Sequence, residues 1–384
     1  MKALYSKITP RHIAIFIMML AVAISLQCYF ASAGQQYTRY NNYVIFKNSF
    51  KHLLSNQNLY AAYPSEDYDL FKYSPTFAIF MGVFYYLPDG VGLLLFNLLN
   101  VGLFLYAFLR FQFDEKKQKL ILLFLLVEIA ISLTSTQTNL LIAGLILLSF
   151  LCLENKKPFW AALCIVLTAY IKIFGIVAFA LWFLYPNKLR FILYALFWTV
   201  VLALLPLILI SRNELVQQYQ NWKDLLKEDH SISYGASFIG WIHSWFKVDV
   251  SKIGTVAGAA ILFCVPFIKT RLYKLYEFRL QILASILIWI VIFNHRAESP
   301  TYCIALTGVA IWYFSQQPRK AYTILLWLCL IFTSFSSTDL ITPSSVYDNI
   351  VEPYALKAVF PCIIWLILIY DLLRERSVKT LPGY

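Results

Sequence analysis

The chain has 384 residues, of which 60% are hydrophobic and only 14% are charged, and its formal net charge is +12. A soluble core cannot absorb that much apolar surface, so the composition excludes a soluble globular protein and predicts an all-α polytopic membrane protein. The positive charge is not accompanied by a basic, aromatic-interleaved soluble domain, so nucleic acid is not an expected partner.

Apolar runs recur along the whole chain. The first, 13–31, follows a basic flank without a convincing cleavage site, which predicts a retained signal-anchor helix. About twelve crossings are expected in one integral membrane domain, 1–384, together with a half-length segment at 75–87. The expected crossings are 13–31, 91–111, 120–133, 140–153, 159–171, 173–184, 191–210, 253–268, 280–293, 301–314, 322–335 and 354–373. Several are short for a span, which is tolerated where helices line a protein-bounded cavity.

The basic residues of the short loops predict the orientation. If 75–87 enters and leaves from one side, both termini and most of the Lys and Arg fall on the same side of the membrane. The positive-inside rule makes that side cytoplasmic, in a plasma (inner) membrane. If 75–87 crossed instead, the basic loops 116–119 and 156–157 would lie outside, so a re-entrant segment is preferred.

Short polar islands interrupt the apolar runs, and this topology places all of them on the outer face: 40–75, 132–139, 231–245 and 294–300. Such clustering in a hydrophobic protein is typical of a site. Two large outer loops are expected, at 32–74 and 211–252. The first is predicted to contain an interfacial helix, because Phe46, Phe50 and Leu53 recur at helical spacing.

Charged residues beside the apolar runs are the sharper signals. Lys172 lies between two such runs, where it either snorkels to the interface or holds a phosphate as a compact point charge. Glu128 lies inside a run, and a structural ion pair is favoured for it over chemistry, with Lys172 as one candidate partner. Gln137 and Asn139 fit helix caps, although a cap needs only one polar residue and this tract holds several.

The loop 294–300 combines His295, Arg296 and Glu298 and is closed by Pro300. Its flanking apolar runs are short, which predicts a recessed loop. A recessed Arg and His suit a phosphate, and a partly desolvated Glu suits a general base. The seven cysteines show no metal-ligand spacing, so neither a zinc site nor a disulfide framework is expected.

The order of these motifs, from about residue 40 to 302, resembles glycosyltransferase family 87, membrane-embedded GT-C enzymes that use polyprenyl-phosphate sugars. The motifs that carry the resemblance are, in chain order, Asn41-Asn42 with the aromatic helix, Leu59-Tyr60, Tyr73-Ser74-Pro75, Leu87-Pro88, Gln137 with Asn139, Ile171-Lys172, Ser237 to Trp241, and the cluster at His295.

The resemblance implies a GT-C-like bundle that transfers a mannose-like hexose from a polyprenyl-phosphate donor to a hydroxyl of a lipid or glycan acceptor at the outer face. It implies inversion at the anomeric carbon and no cofactor. The substrate-binding residues it implies are Lys172, Arg296, His295, Gln137, Asn139 and Tyr73, and the catalytic candidates are Glu298, Asp69 and Asn42.

Two departures from the family pattern affect the catalytic base. The family's Asp in the first outer loop is matched here by Asn42, and an amide cannot accept a proton at neutral pH. Paired histidines of the family are matched by the cluster around His295 and Glu298. We therefore expect the base at Glu298, with Asp69 as second choice. The alternatives are a flippase for lipid-linked glycans and a non-catalytic subunit of envelope assembly.

Overall fold

The computed structural model describes residues 8–228, 234–338 and 341–374, which form helices and connecting turns with no β-strand among them. The α-helices are α1 (Pro10–Phe30), α2 (Asn41–Leu54), α3 (Pro75–Phe80), α4 (Gly82–Tyr85), α5 (Asp89–Phe108), α6 (Glu115–Thr134), α7 (Asn139–Glu154), α8 (Pro158–Ile171), α9 (Lys188–Leu204), α10 (Arg212–Glu228), α11 (Phe238–Phe246), α12 (Lys252–Cys264), α13 (Tyr276–Ile292), α14 (Tyr302–Phe314), α15 (Lys320–Cys329), α16 (Ser344–Val346) and α17 (Leu356–Arg374). A 3₁₀ helix, Ile173–Leu184, joins α8 to α9.

Within the described residues, five helices are long and apolar enough to cross a membrane: Pro10–Phe30, Asp89–Phe108, Lys188–Ile208, Lys320–Ser337 and Leu356–Arg374. Shorter apolar helices accompany them at Asn139–Glu154, Pro158–Ile171, Ile173–Leu184 and Lys252–Ile268. The helical membrane class is thus confirmed. The count of about twelve crossings stays a prediction.

The segment expected to re-enter the membrane is broken into α3, of 6 residues, and α4, of 4 residues. At a rise of about 1.5 Å per residue the two helices together span about 15 Å, half of the roughly 30 Å hydrocarbon core. The length fits a re-entrant segment, which remains a prediction. Ser74 caps α3, since its Oγ accepts a hydrogen bond from the Phe77 N–H at 3.2 Å. Pro75 is the first helical residue, as the sequence indicates.

The helix expected in the first outer loop is present as α2, but its apolar stripe does not face lipid. Phe46, Phe50 and Leu53 are all buried inside the protein. The Phe46 ring makes edge contacts with Tyr73 and Phe77, at centroid distances of 4.7 and 5.4 Å. The expectation that this stripe lies on the bilayer is therefore wrong, because α3 covers Phe46 and α4 covers Phe50 instead. The packing brings the N-terminus of α2 close to Tyr73.

Glu128 forms the expected ion pair, but the partner is Lys357 of α17 rather than Lys172. The Lys357 Nζ donates to both Glu128 carboxylate oxygens, at 2.9 and 3.2 Å, and to Ser299 Oγ at 2.9 Å. Both charged side chains are buried. The pair ties α6 and α17 to the loop that precedes α14. Because both side chains are almost fully buried, each charge is compensated mainly by the other.

Lys357→Met is expected to destabilise the folded protein by about 3–5 kcal/mol, because it leaves the Glu128 carboxylate buried without its cation. Thermal unfolding of the purified protein in detergent measures the loss. The double variant Glu128→Gln with Lys357→Met should recover most of it, since both buried charges are then removed. An unchanged melting temperature for the single variant would contradict the structural role of this pair.

Candidate functional site

A cavity of about 220 Å³ lies where the N-terminus of α2, the C-terminal end of α8 and the loop before α14 meet. We call it the cation cavity. The residues predicted from the sequence that line it are Asn42, Asp69, Tyr73, Gln137, Lys172, His295, Arg296 and Glu298. The remaining predicted residue, Asn139, contacts two of them. Three separate polar islands of the sequence thus meet in one place.

Gln137 is the centre of the hydrogen-bond network in this cavity. Its Nε2 donates to Glu298 Oε2 at 2.7 Å, and its Oε1 accepts from Asn139 Nδ2 at 2.8 Å and from Lys172 Nζ at 3.2 Å. The Asn139 Oδ1 accepts a second bond from Lys172 Nζ at 2.9 Å. Capping does not account for this tract, because the N-cap of α7, Thr138, makes no side-chain cap bond. The two amides hold a cation and a carboxylate side by side.

Lys172 lies at the junction of α8 and the 3₁₀ helix, outside both. Its ammonium lies inside the cavity, 5.7 Å from the Tyr73 ring centroid and 5.8 Å from that of Phe174. Burial lowers the pKa of Lys172 to about 8, and the charge of Glu298 opposes that shift. Its hydrogen bonds go to amide oxygens, which do not neutralise its charge. This geometry favours an anion-binding role over snorkelling to the membrane interface.

The loop 294–300 is held in shape by its own backbone. The Asn294 Oδ1 accepts from the Arg296 N–H at 3.0 Å, and the Asn294 carbonyl accepts from the Ala297 N–H at 2.9 Å. This turn places Arg296 and Glu298 on the cavity wall. Glu298 is exposed, so the expected desolvation of its carboxylate is wrong. The carboxylate faces open space and is oriented by Gln137 rather than by burial.

Asn42 and Asp69 also line the cavity but make different contacts. The Asn42 Nδ2 donates to the Ser135 carbonyl at 2.9 Å, which fastens α2 to the end of α6. Asp69 is exposed and forms a salt bridge with Lys72 at 3.1 Å. Asn42 therefore has a structural contact that the sequence did not indicate. Asp69 is paired directly with a cation, whereas Glu298 is linked to Lys172 through the Gln137 amide.

Sequence reasoning missed three polar residues that line the cation cavity, namely Lys72, Asn294 and Thr301. Lys72 and Asn294 directly adjoin predicted site residues, so adjacency was the available signal. Among residues 8–228, 234–338 and 341–374, no group of three or more His, Cys, Asp or Glu side chains is placed to hold a metal ion. Of the predicted island 231–245, residues 231–233 lie outside the described residues.

The family model of glycosyltransferase family 87 matches residues 71–338. Because the match spans more than half of the chain, the chain belongs to glycosyltransferase family 87, which implies a membrane glycosyltransferase. Comparison with curated proteins gives no match. The matched region includes Tyr73, Gln137, Lys172 and the loop 294–300, while Asn42 lies before it.

Proposed function

We propose that this protein transfers a mannose-like hexose from a polyprenyl-phosphate donor to a hydroxyl of a lipid or glycan acceptor on the outer face of the plasma (inner) membrane, with inversion and without a cofactor. One observation carries the proposal. Lys172, Arg296 and Glu298 line one cavity. Two cations that can stabilise a leaving phosphate thus lie beside a carboxylate that can accept a proton. Such a transfer needs both kinds of group.

The reaction follows from these positions. The donor phosphate lies against Lys172 and Arg296, whose charges stabilise it as it leaves. An acceptor hydroxyl attacks the anomeric carbon, and its proton passes to the Glu298 carboxylate. The bond between that carbon and the phosphate oxygen breaks, and the electron pair leaves with the lipid phosphate. Gln137 orients Glu298 through the bond to Oε2. One displacement inverts the anomeric centre.

The direct test incubates the purified protein with radiolabelled polyprenyl-phosphate sugars and a membrane extract. Thin-layer chromatography and mass spectrometry should show label in an acceptor and release of polyprenyl phosphate. The matched control is the Glu298→Gln variant, which should bind donor without transfer. If the folded protein leaves the label on every polyprenyl-phosphate sugar tested, the proposal is wrong.

Two alternatives remain distinguishable. A flippase would need polar groups along a path through the bilayer, whereas the predicted site residues meet at one end of the helices. Family membership also supports transfer. A non-catalytic subunit of envelope assembly is the second candidate, and the observation in its favour is Asn42 at the position of the family's Asp. Measured turnover by the wild-type protein would exclude the non-catalytic subunit and support the enzyme.

Donor affinity should fall as the pH rises through about 8. Burial lowers the pKa of Lys172 to about 8, so its ammonium is charged below that pH and neutral above it. The phosphodiester of the donor stays ionised throughout, so the lost attraction is that of Lys172. Equilibrium binding of labelled donor between pH 6 and about 10 measures the decline. The Lys172→Arg variant should lack it, because Arg stays protonated; a wild-type profile flat through pH 8 would contradict the assignment.

The predicted orientation can be tested by labelling with a membrane-impermeant maleimide in intact cells. Cys264→Ser provides the background, because Cys264 is the exposed one of the seven cysteines. Ser65→Cys, at an exposed position of the first loop, should be labelled from outside. Asn155→Cys, exposed in the loop after α7, should be labelled only after permeabilisation. The reverse pattern would move the site to the cytoplasmic face.

A further inference from the structure

Glu298 borders two cavities. Besides the cation cavity, it lines a second cavity of about 510 Å³ on the other side of the loop 294–300. Polar side chains of the second cavity include Tyr234, His243, Ser244, Ser299 and Glu352. Among the described residues, Glu298 is the one that lines both. A volume of this size falls in the roughly 300–1,000 Å³ range of small-ligand sites.

The partition between the cavities is held by backbone contacts. The Ala236 N–H donates to the Ala297 carbonyl at 2.9 Å, and the Tyr302 hydroxyl donates to the Ala236 carbonyl at 2.7 Å. Gly235 has a φ of +49°, and a Cβ there would lie 2.8 Å from the His295 carbonyl oxygen. This close approach requires glycine. The loop that carries Glu298 is thereby fixed against the segment before α11.

The two cavities differ in charge. The cation cavity contains Lys172 and Arg296 beside Glu298, and its third cation, Lys72, is paired with Asp69 at 3.1 Å. In the second cavity the carboxylates are Glu298 and Glu352, while the cation, Lys357, is already paired with Glu128 at 2.9 Å. His243 lies 2.9 Å from the Asp249 carboxylate. An anionic ligand is therefore favoured in the cation cavity and disfavoured in the second one.

We propose that the second cavity binds the acceptor, and that the acceptor presents an uncharged, hydroxyl-rich sugar there. The inference rests on the proposed function and adds the location and chemical class of its second substrate. Carboxylate and hydroxyl oxygens at Glu352 and Ser244 are hydrogen-bond acceptors that suit sugar hydroxyls. Tyr234 also lines this cavity, and its ring stacks on that of His243 at a centroid distance of 4.3 Å.

Glu298 then stands between the two substrates. The acceptor hydroxyl approaches from the second cavity, and the anomeric carbon lies on the side of the cation cavity. The oxygen–hydrogen bond of the acceptor breaks and its proton passes to Glu298, while the new carbon–oxygen bond forms. The bond from carbon to the phosphate oxygen breaks with its electron pair retained on the phosphate. Placement of the base at the partition brings it into contact with both reactants.

The test uses Glu352, an exposed residue of the second cavity, and as a matched control Asp348, an exposed carboxylate of the same segment that does not line it. Donor binding is measured with polyprenyl-phosphate-mannose, and transfer with a neutral alkyl mannoside or a negatively charged alkyl glucuronide. Glu352→Ala should raise the KM for the alkyl mannoside about tenfold or more. The larger Glu352→Trp should block transfer. Both should leave donor affinity unchanged, and Asp348→Ala should change neither quantity.

Each other outcome has a distinct meaning. An unchanged acceptor KM in both Glu352 variants, or a loss of donor affinity instead, overturns the location of the acceptor. If the wild-type protein transfers to the glucuronide but not to the mannoside, the acceptor does not present an uncharged sugar. The same conclusion follows if the protein binds donor but transfers to neither compound. Failure of the folded wild-type protein to bind donor overturns the proposed function itself, and the inference with it.

Discussion

Glu298→Gln should lower the turnover number by about 10²–10⁴-fold, the usual contribution of a general base, while donor affinity stays near that of the wild type. The substitution preserves shape, and the new amide oxygen still accepts the hydrogen bond that Gln137 now donates at 2.7 Å. It removes only the capacity to take a proton. Single-turnover transfer and equilibrium donor binding, measured on the same preparation, separate the two effects.

Asp69→Asn is the matched control, because Asp69 lines the same cavity but is exposed and paired with Lys72. It should reduce turnover only slightly. If Glu298→Gln retains transfer and Asp69→Asn loses it, the base is Asp69. If the cell's glycans stay unchanged in both variants and also after deletion of the protein, the enzyme hypothesis is wrong and the non-catalytic subunit is favoured.

Lys172→Met should weaken donor binding by about 10- to 150-fold, which corresponds to the roughly 1.5–3 kcal/mol of a charge-assisted hydrogen bond. Met keeps the apolar stem but removes the ammonium that the Gln137 and Asn139 oxygens hold in place. The turnover of bound donor should also fall, since the charge that stabilises the leaving phosphate is lost. Arg296→Ala should weaken donor binding in the same way.

Lys72→Met is the matched control, since Lys72 also lines the cavity but is neutralised by Asp69 at 3.1 Å. Its donor affinity should change by less than that of Lys172→Met. Lys172→Arg should bind donor less well than the wild type, because a planar fork does not reproduce a compact point charge. Unchanged donor affinity in both Lys172→Met and Arg296→Ala, with folding intact, would remove the phosphate role from these residues.

Most of the polar lining of the cation cavity was predictable, because polar residues are costly beside apolar runs and are therefore conspicuous in such a sequence. Gln137, Lys172 and the loop 294–300 stood out on that ground, and their order carried the resemblance that the family match confirms. Helical class was equally readable, since every backbone polar group within a bilayer must be paired. The site roles assigned to these residues stay predictions.

The sequence by itself thus determined the membrane class, the family and most of the polar residues that meet in the cation cavity. Tertiary structure alone decided their partners. Lys357 is 229 positions from Glu128, and nothing local marks it as the partner. The aromatic stripe of α2 reads the same whether it faces lipid or protein, because lipid tails and a protein interior are equally apolar. The exposure of Glu298 and its second cavity likewise depend on how the loop 294–300 packs against Gly235. These segments are far apart in the sequence, so no local hydrophobic periodicity predicts their contact.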